Sequence, residues 1–151
     1  MLEGQNCIYK TAIAPAAILD NTSATATAID TAGAAYIEIP VQLGATDIAV
    51  SALKLQECDT SGGTYTDITG ATFNGGTSYD GVTLALPSAT DDNQVHVFQG
   101  SLLGRKRYIK VVCTFGDGTV GGFVAATARL SKVALVPPVA TDMAAGGVCR
   151  F

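Results

Sequence analysis

"RKRYIKVVCTFGDGTVGGFVAATARLSKV", residues 105–133, is the stretch that decides the fold. In Arg105–Phe115, the residues Ile109, Val111, Cys113 and Phe115 fall on one face, and Tyr108, Lys110, Val112 and Thr114 on the other. A period of two with apolar residues on one side is a half-buried strand. The following "GDGT" reads as a hairpin turn, and "VGGFVAATARLSKVALV" as the strand that returns from it. The Gly121-Gly122 pair marks a bulge in that return strand.

Earlier segments repeat the pattern. In "AAYIEIPVQL" (34–43), Ala35, Ile37, Ile39 and Val41 share a face opposite Tyr36, Glu38 and Gln42, and Pro40 predicts an edge or a bulge. In "DIAVSALKLQEC" (47–58), Leu53 and Leu55 oppose Lys54 and Gln56. "DTSGGTY" then predicts a tight turn in which Gly62-Gly63 supply positive φ, and "TYTDI" returns as a strand. "TGATF" is a second corner, after which Phe73 reaches the core. "QVHVFQGSLLG" (94–104) sets Val95 and Val97 against His96 and Phe98. "TATAID" (25–30) is a shorter strand candidate. Residues 74–94 form a long polar loop around the apolar run Val82–Leu86, and loops of this length are commonly functional or ordered by a partner.

Composition agrees with an all-β chain. Ala (23), Thr (18) and Gly (17) dominate the 151 residues, while Glu (3) and Lys (5), both helix formers, are scarce. Eight or nine short strands separated by turns, with no helix that starts, stops and carries an apolar stripe, predict an antiparallel β-sandwich of the jelly-roll kind. One domain suits the length. Small residues bury little area each, so the chain is expected to draw stability from partners. The organisation expected is an N-terminal arm over 1–20, a sandwich over 21–136 and a C-terminal arm over 137–151. "IYKTAIAPAAILD" is apolar and broken by Pro15; an edge strand of the domain's own sheet is the competing reading of that segment.

Chemistry finds little footing. The net charge is −4 and the pI about 4.7, against a duplex nucleic-acid partner. Arg105-Lys106-Arg107 reads as a solvated strand start in preference to a phosphate or carboxylate contact. His96 is the only histidine, and no nucleophile motif accompanies it, so it reads as structural. Asp91-Asp92 reads as a solvated pair; with Asp80 or Asp117 it would make a calcium site, but the EF-hand spacing is absent. "GDGTVGG" does not lead into a helix and is no P-loop. The cysteines, at 7, 58, 113 and 149, hold no CxxC pair, which argues against zinc. Cys113 reads as a small core residue, and a bridge between Cys7 and Cys149 has no support in the sequence. No stretch has the apolar length of a membrane span, and "MLEGQNCIYK" is not a signal peptide, so synthesis in the cytosol is expected. Neither an enzyme nor a cofactor is expected.

Two of these stretches carry a likeness. "LKLQECDTSGGTYTDITGATF" resembles a hairpin of small structural proteins of tailed bacteriophages, and "RKRYIKVVCTFGDGTVGGFVAATARLSKV" resembles their paired strands and glycine turn. The chain resembles jelly-roll cement, or decoration, proteins on the outside of HK97-fold capsids. The resemblance implies a dimer or trimer that bridges major capsid protein subunits on the expanded shell. Extended arms suit such a role, since they bury much area per residue and add strands to a neighbour's sheet. The contacts expected are apolar residues of the two ends: Leu2, Ile8, Tyr9, Ile13, Pro15 and Ile18, then Pro137, Pro138, Val148 and Phe151. Ordinary packing within the subunit competes at each of them. Two other readings stay open. One is a carbohydrate-binding module using Tyr65, Tyr79 and Phe73; the other is a tail or connector component.

Overall fold

The computed structural model describes residues 6–134 and Met143. Its strands are β1 (Cys7–Ile13), β2 (Ile29–Asp30), β3 (Tyr36–Thr46), β4 (Val50–Cys58), β5 (Thr66–Thr72), β6 (Val95–Ser101), β7 (Tyr108–Phe115) and β8 (Gly122–Ser131). They form two four-stranded antiparallel sheets, ordered β1-β8-β3-β6 (sheet A) and β2-β7-β4-β5 (sheet B). The two sheets pack on one another as a β-sandwich. The core is where their alternating apolar residues meet: Ile37, Ile39, Val41 and Leu43 from β3, and Leu53, Leu55, Ile109, Val111, Cys113 and Phe115 from β4 and β7. Fully burying such a side chain contributes roughly 1.5–3 kcal/mol, so these two-residue periods outweigh the weak packing of the alanines between them.

The pairings are nested. Strand β1 pairs with β8, β2 with β7, β3 with β6 and β4 with β5. Only β4 and β5 are consecutive strands within one sheet. The hairpin expected between β7 and β8 is therefore absent: β7 pairs with β4 and β2, and β8 with β1 and β3. Alternation fixes which face of a strand is buried, and two strands with the same parity can lie side by side or face each other across the core. Here the chain changes sheet between Phe115 and Gly122. Asp47 holds the crossing, its carboxylate accepting N–H groups from Thr119, Val120 and Gly121 at 3.0, 2.9 and 2.7 Å. The Gly121 N–H leads the donors that keep this carboxyl below the usual carboxylate range. Gly121 itself has φ +98°, which favours glycine.

Other expectations need correction. Pro40 lies in a central strand with no bulge: pairing with β6 is continuous through Pro40↔Val97, and pairing with β8 keeps one register from Glu38↔Arg129 to Val41↔Ala126. The ladder around the proline tolerates the one N–H it lacks. The bulge falls further on, where the register shifts between Leu43 and Thr46, so the extra residue belongs to β3 and not to the Gly121-Gly122 side. "TGATF" is not a corner. Residues through Thr72 stay in β5, and the register jumps from Gln56↔Asp67 to Lys54↔Thr72 past Gly70 at φ +82°. Gly62 and Gly63 do not have positive φ. Gly63 is needed for space: a Cβ there would meet Thr60 Oγ1 at 2.5 Å and Cys58 Sγ at 2.6 Å.

The N-terminal arm is the largest correction within the described residues. Cys7–Ile13 is an edge strand of sheet A, in register with Ser131–Ala126. The following chain stays attached to the sandwich: Leu19 exchanges backbone bonds with Gly122, and Ala24 donates to the Cys113 carbonyl. Ala12 and Ile13 are buried in the common core, a stronger attraction than solvent exposure on a free arm. The C-terminal arm expected over 137–151 lies outside the described residues apart from Met143.

Candidate interaction surface

The outer faces of the two sheets differ. On sheet B, Lys54 and Gln56 both reach the Asp67 carboxylate at 2.7 Å. Lys54 Nζ is the first cause of the low Asp67 carboxyl pKa. Lys110 Nζ sits 4.3 Å from the centre of the Tyr65 ring, whose hydroxyl donates to the Ser61 carbonyl. At the strand starts, Arg107 binds Asp30 through two nitrogens at 2.9 and 2.7 Å, Arg105 faces Glu57 at 3.6 Å, and Lys106 faces Asp59 at 3.6 Å. All three cations of the basic cluster thus have a carboxylate within the chain.

Sheet A shows apolar groups to solvent. In β6 the alternation places Phe98 inward at 7 % exposure, while Val95 and Val97 are 53 % and 40 % exposed. Register puts Val97 beside Pro40, and Val95 beside Gln42, which also faces Ala125. Phe123, 43 % exposed, presses on Gly44, where a Cβ would meet the Phe123 Cβ at 2.9 Å. Tyr36 and Tyr9 continue the apolar surface towards the other end. Among the described residues, Arg129 and Glu38 form a charged pair on it, 3.2 Å apart. Gln42, Gln99, Thr127 and Ser131 share the same outward rows and interrupt these apolar groups.

Between the open edges of the sandwich, β5 and β6 border a groove of about 1260 Å³ lined by Ile68, Phe73, Leu84, His96 and Phe98 among others. The Phe73 ring stands edge-on to both Phe98 (5.0 Å) and His96 (5.3 Å). His96 Nε2 is buried and has no hydrogen-bond partner among the described residues, so the structural histidine is neither satisfied there nor freely exposed. Burial lowers its pKa below the usual 6.5, against a smaller opposing pull from Asp91. The acidic loop residues are occupied within the chain. Asp91 accepts from the Ser88 amide, the Ser88 hydroxyl and Gln94, and Asp92 accepts from the Thr46 amide. Among the described residues no cluster of acids, histidine or cysteine is arranged to hold a metal. Cys113 is fully buried, and burial pushes its thiol pKa up to about 12, as fits a core residue and not a nucleophile.

The contact residues expected from the sequence are dispersed. Ile13 is 2 % exposed and belongs to the core, and Ile8 packs against it. Tyr9 and Ile18 are each 38 % exposed, and Pro15 is exposed. Leu2, Pro137, Pro138, Val148 and Phe151 lie outside the described residues. Of the three aromatic candidates for sugar binding, Phe73 and the fully exposed Tyr79 both line the groove between β5 and β6, while Tyr65 lies outside it under Lys110. Missed were Val95, Val97 and Phe123. The first two were visible as an alternating pair, but alternation alone does not say which side faces water.

No protein-family model, characterised protein or solved structure matches the chain.

Proposed function

We propose that this chain is a structural virion protein: a cement subunit, of the jelly-roll kind, on the outer surface of a tailed-phage capsid. On this reading it is made in the host cytoplasm, forms a homodimer or homotrimer, bridges major capsid protein subunits of the expanded shell, and is not an enzyme. The observation that carries the reading is the exposed apolar face of sheet A, from Phe123 through Val95 and Val97 towards Tyr36 and Tyr9. A chain so rich in Ala, Gly and Thr stabilises itself weakly and gains from a large partner surface. The nested strand pairing supports the jelly-roll part of the proposal. The contact is assigned mainly to the sandwich face, with Pro15 and Ile18 at its margin, and less to the free arms that the sequence suggested.

The test is sedimentation of the purified full-length chain with expanded and unexpanded capsids of the virus that encodes it, followed by imaging of the particles. Retention by expanded shells, with density over the joints between capsid subunits, is the expected result. Absence of binding to both forms, or density on the tail or connector, overturns the assignment.

A further inference from the structure

The edge of a sheet shows unpaired backbone N–H and C=O groups, and proteins blunt it with charge, proline, bulges or short length. Among the described residues, three of the four edge strands are blunted. Strand β1 carries exposed Lys10 and a register shift between Thr11 and Ile13, and β2 has only two residues. Strand β5 carries Asp67 and the register jump past Gly70. Strand β6 has none of these devices. Its seven residues, VHVFQGS, include no carboxylate, lysine, arginine or proline, and its pairing with β3 is unbroken from Tyr36↔Ser101 to Gln42↔Val95. The Leu43 N–H donates to the Gln94 carbonyl and the Leu102 N–H to the Ala35 carbonyl, both at 2.9 Å. Bonded pairs alternate along an antiparallel ladder, so the even-numbered residues of β6 are the ones that bond to β3. Val95, Val97, Gln99 and Ser101 therefore aim their N–H and C=O groups away from β3. They are exposed, and no hydrogen bond among the described residues reaches those groups.

We propose that β6 pairs antiparallel with β6 of a second copy about a twofold axis at Phe98, joining two copies of sheet A into one sheet of eight strands. The occupant follows from the strand's fit to its own reverse. Free groups on odd-numbered residues must meet free groups on odd-numbered residues. The register that overlaps the whole strand does this, with Val97 facing Gln99 of the other copy and Val95 facing Ser101. No charge is set against a like charge. On the inward row, His96 of each copy faces Gly100 of the other, where a Cβ would meet no atom within 4 Å. A ring thus lies opposite an open place, twice over by symmetry. The outer faces of the two copies, with Val95 and Val97 on each, then run together as one. This pairing gives the homo-oligomer of the capsid reading its interface and rests on that part of the reading alone. It is tested on the isolated protein, so its failure and a failure to bind capsids are separate results.

The full-length chain is weighed by sedimentation equilibrium, and its backbone amide exchange is followed residue by residue. The expected mass is twice the 15.4 kDa of one chain. The Val97 and Gln99 amides should exchange at least about tenfold more slowly than in the unfolded chain. Gln99→Pro removes an outward N–H and leaves the bonds to β3 intact, as a proline on a free edge does. It should give a folded monomer in which the Val97 amide exchanges at least about tenfold faster while the Phe98 amide stays slow. A monomeric or trimeric wild-type chain overturns the proposal. So does a dimer with fast Val97 and Gln99 amides, or a folded Gln99→Pro that remains a dimer. Should Gln99→Pro fail to fold, the wild-type chain decides. Dimers mixed from carbon-13-labelled and unlabelled chains should show a nuclear Overhauser contact between the Phe98 α-protons of the two copies, and its absence sinks the idea.

Discussion

Sheets A and B have inner faces of one design and outer faces of two. Inside, each offers an alternating row of Ile, Val, Leu and Phe. Outside, sheet B pairs its charges, as in Lys54 with Asp67 and Lys110 over Tyr65, so water and its own side chains satisfy it. Sheet A also pairs Arg129 with Glu38 and holds Lys132 over Tyr36, but it leaves Val95, Val97 and Phe123 in water. The difference teaches where a partner would gain most. Covering sheet B means desolvating paired charges, which returns little, whereas covering sheet A removes apolar area from water at about 25 cal/mol per Å².

The comparison can be broken most severely from the shared interior. Phe115→Ala removes a ring that is 1 % exposed and touches both sheets' core rows. It should lower unfolding stability in urea by about 3–5 kcal/mol, and both faces should be lost in one transition. A milder loss, or two separated transitions, means that the sheets are not one cooperative core.

The next largest effect sharpens the contrast between the faces. Changing Val95 and Val97 to Thr and Phe123 to Ser should weaken capsid retention by more than about tenfold, with stability within about 0.5 kcal/mol per site. The same number of changes on sheet B, at Lys54, Gln56 and Lys110, should leave retention unchanged. Equal losses from both faces would end the assignment of the contact to sheet A.

A third effect is titratable. His96 has a lowered folded-state pKa, so its contribution is fully present above 6.5 and is lost as pH falls from there through the folded value. Asp30, Asp47 and Asp67 have lowered values as well, and their contribution is present above 3.8 and lost as pH falls further. Thermal melts from pH 8 to pH 3 should therefore decline in two steps, and His96→Gln should remove the upper step alone. Retention of the upper step in His96→Gln would mean that another group causes it. Smallest of all is Lys54→Ala, whose exposed ion pair should give a melt too close to wild type to separate.

What could be read from residue types was the buried side of each strand. Ile37, Ile39 and Val41, and Ile109 through Phe115, stand where their two-residue period put them. The β4–β5 hairpin was legible from its length and glycines, although Gly63 serves by its lack of a side chain and not by its φ. Partnership between strands was not legible. Parity is the same whether β8 lies beside β7 or across the core from it, and the Asp47 contacts that fix the crossing join residues more than seventy positions apart. Nor was the exposed face, because Val95 and Val97 look like core until Phe98 claims the inside. The apolar N-terminal segment resembled an arm for a related reason: its partner strand β8 is more than a hundred residues away in sequence.

The pairing of Cys7 with Ser131 has a consequence for how the molecule comes into being. Strand β1 is completed by β8, so during synthesis β1 must wait while the more than one hundred residues between them emerge. Such a sandwich has a high contact order and folds slowly, with its apolar edges exposed in the interval. The ribosome and its attendant chaperones would therefore meet an unfinished sheet until β8 emerges. A nascent chain stopped before β8 should be protease-sensitive, and one released beyond it should close from end to end.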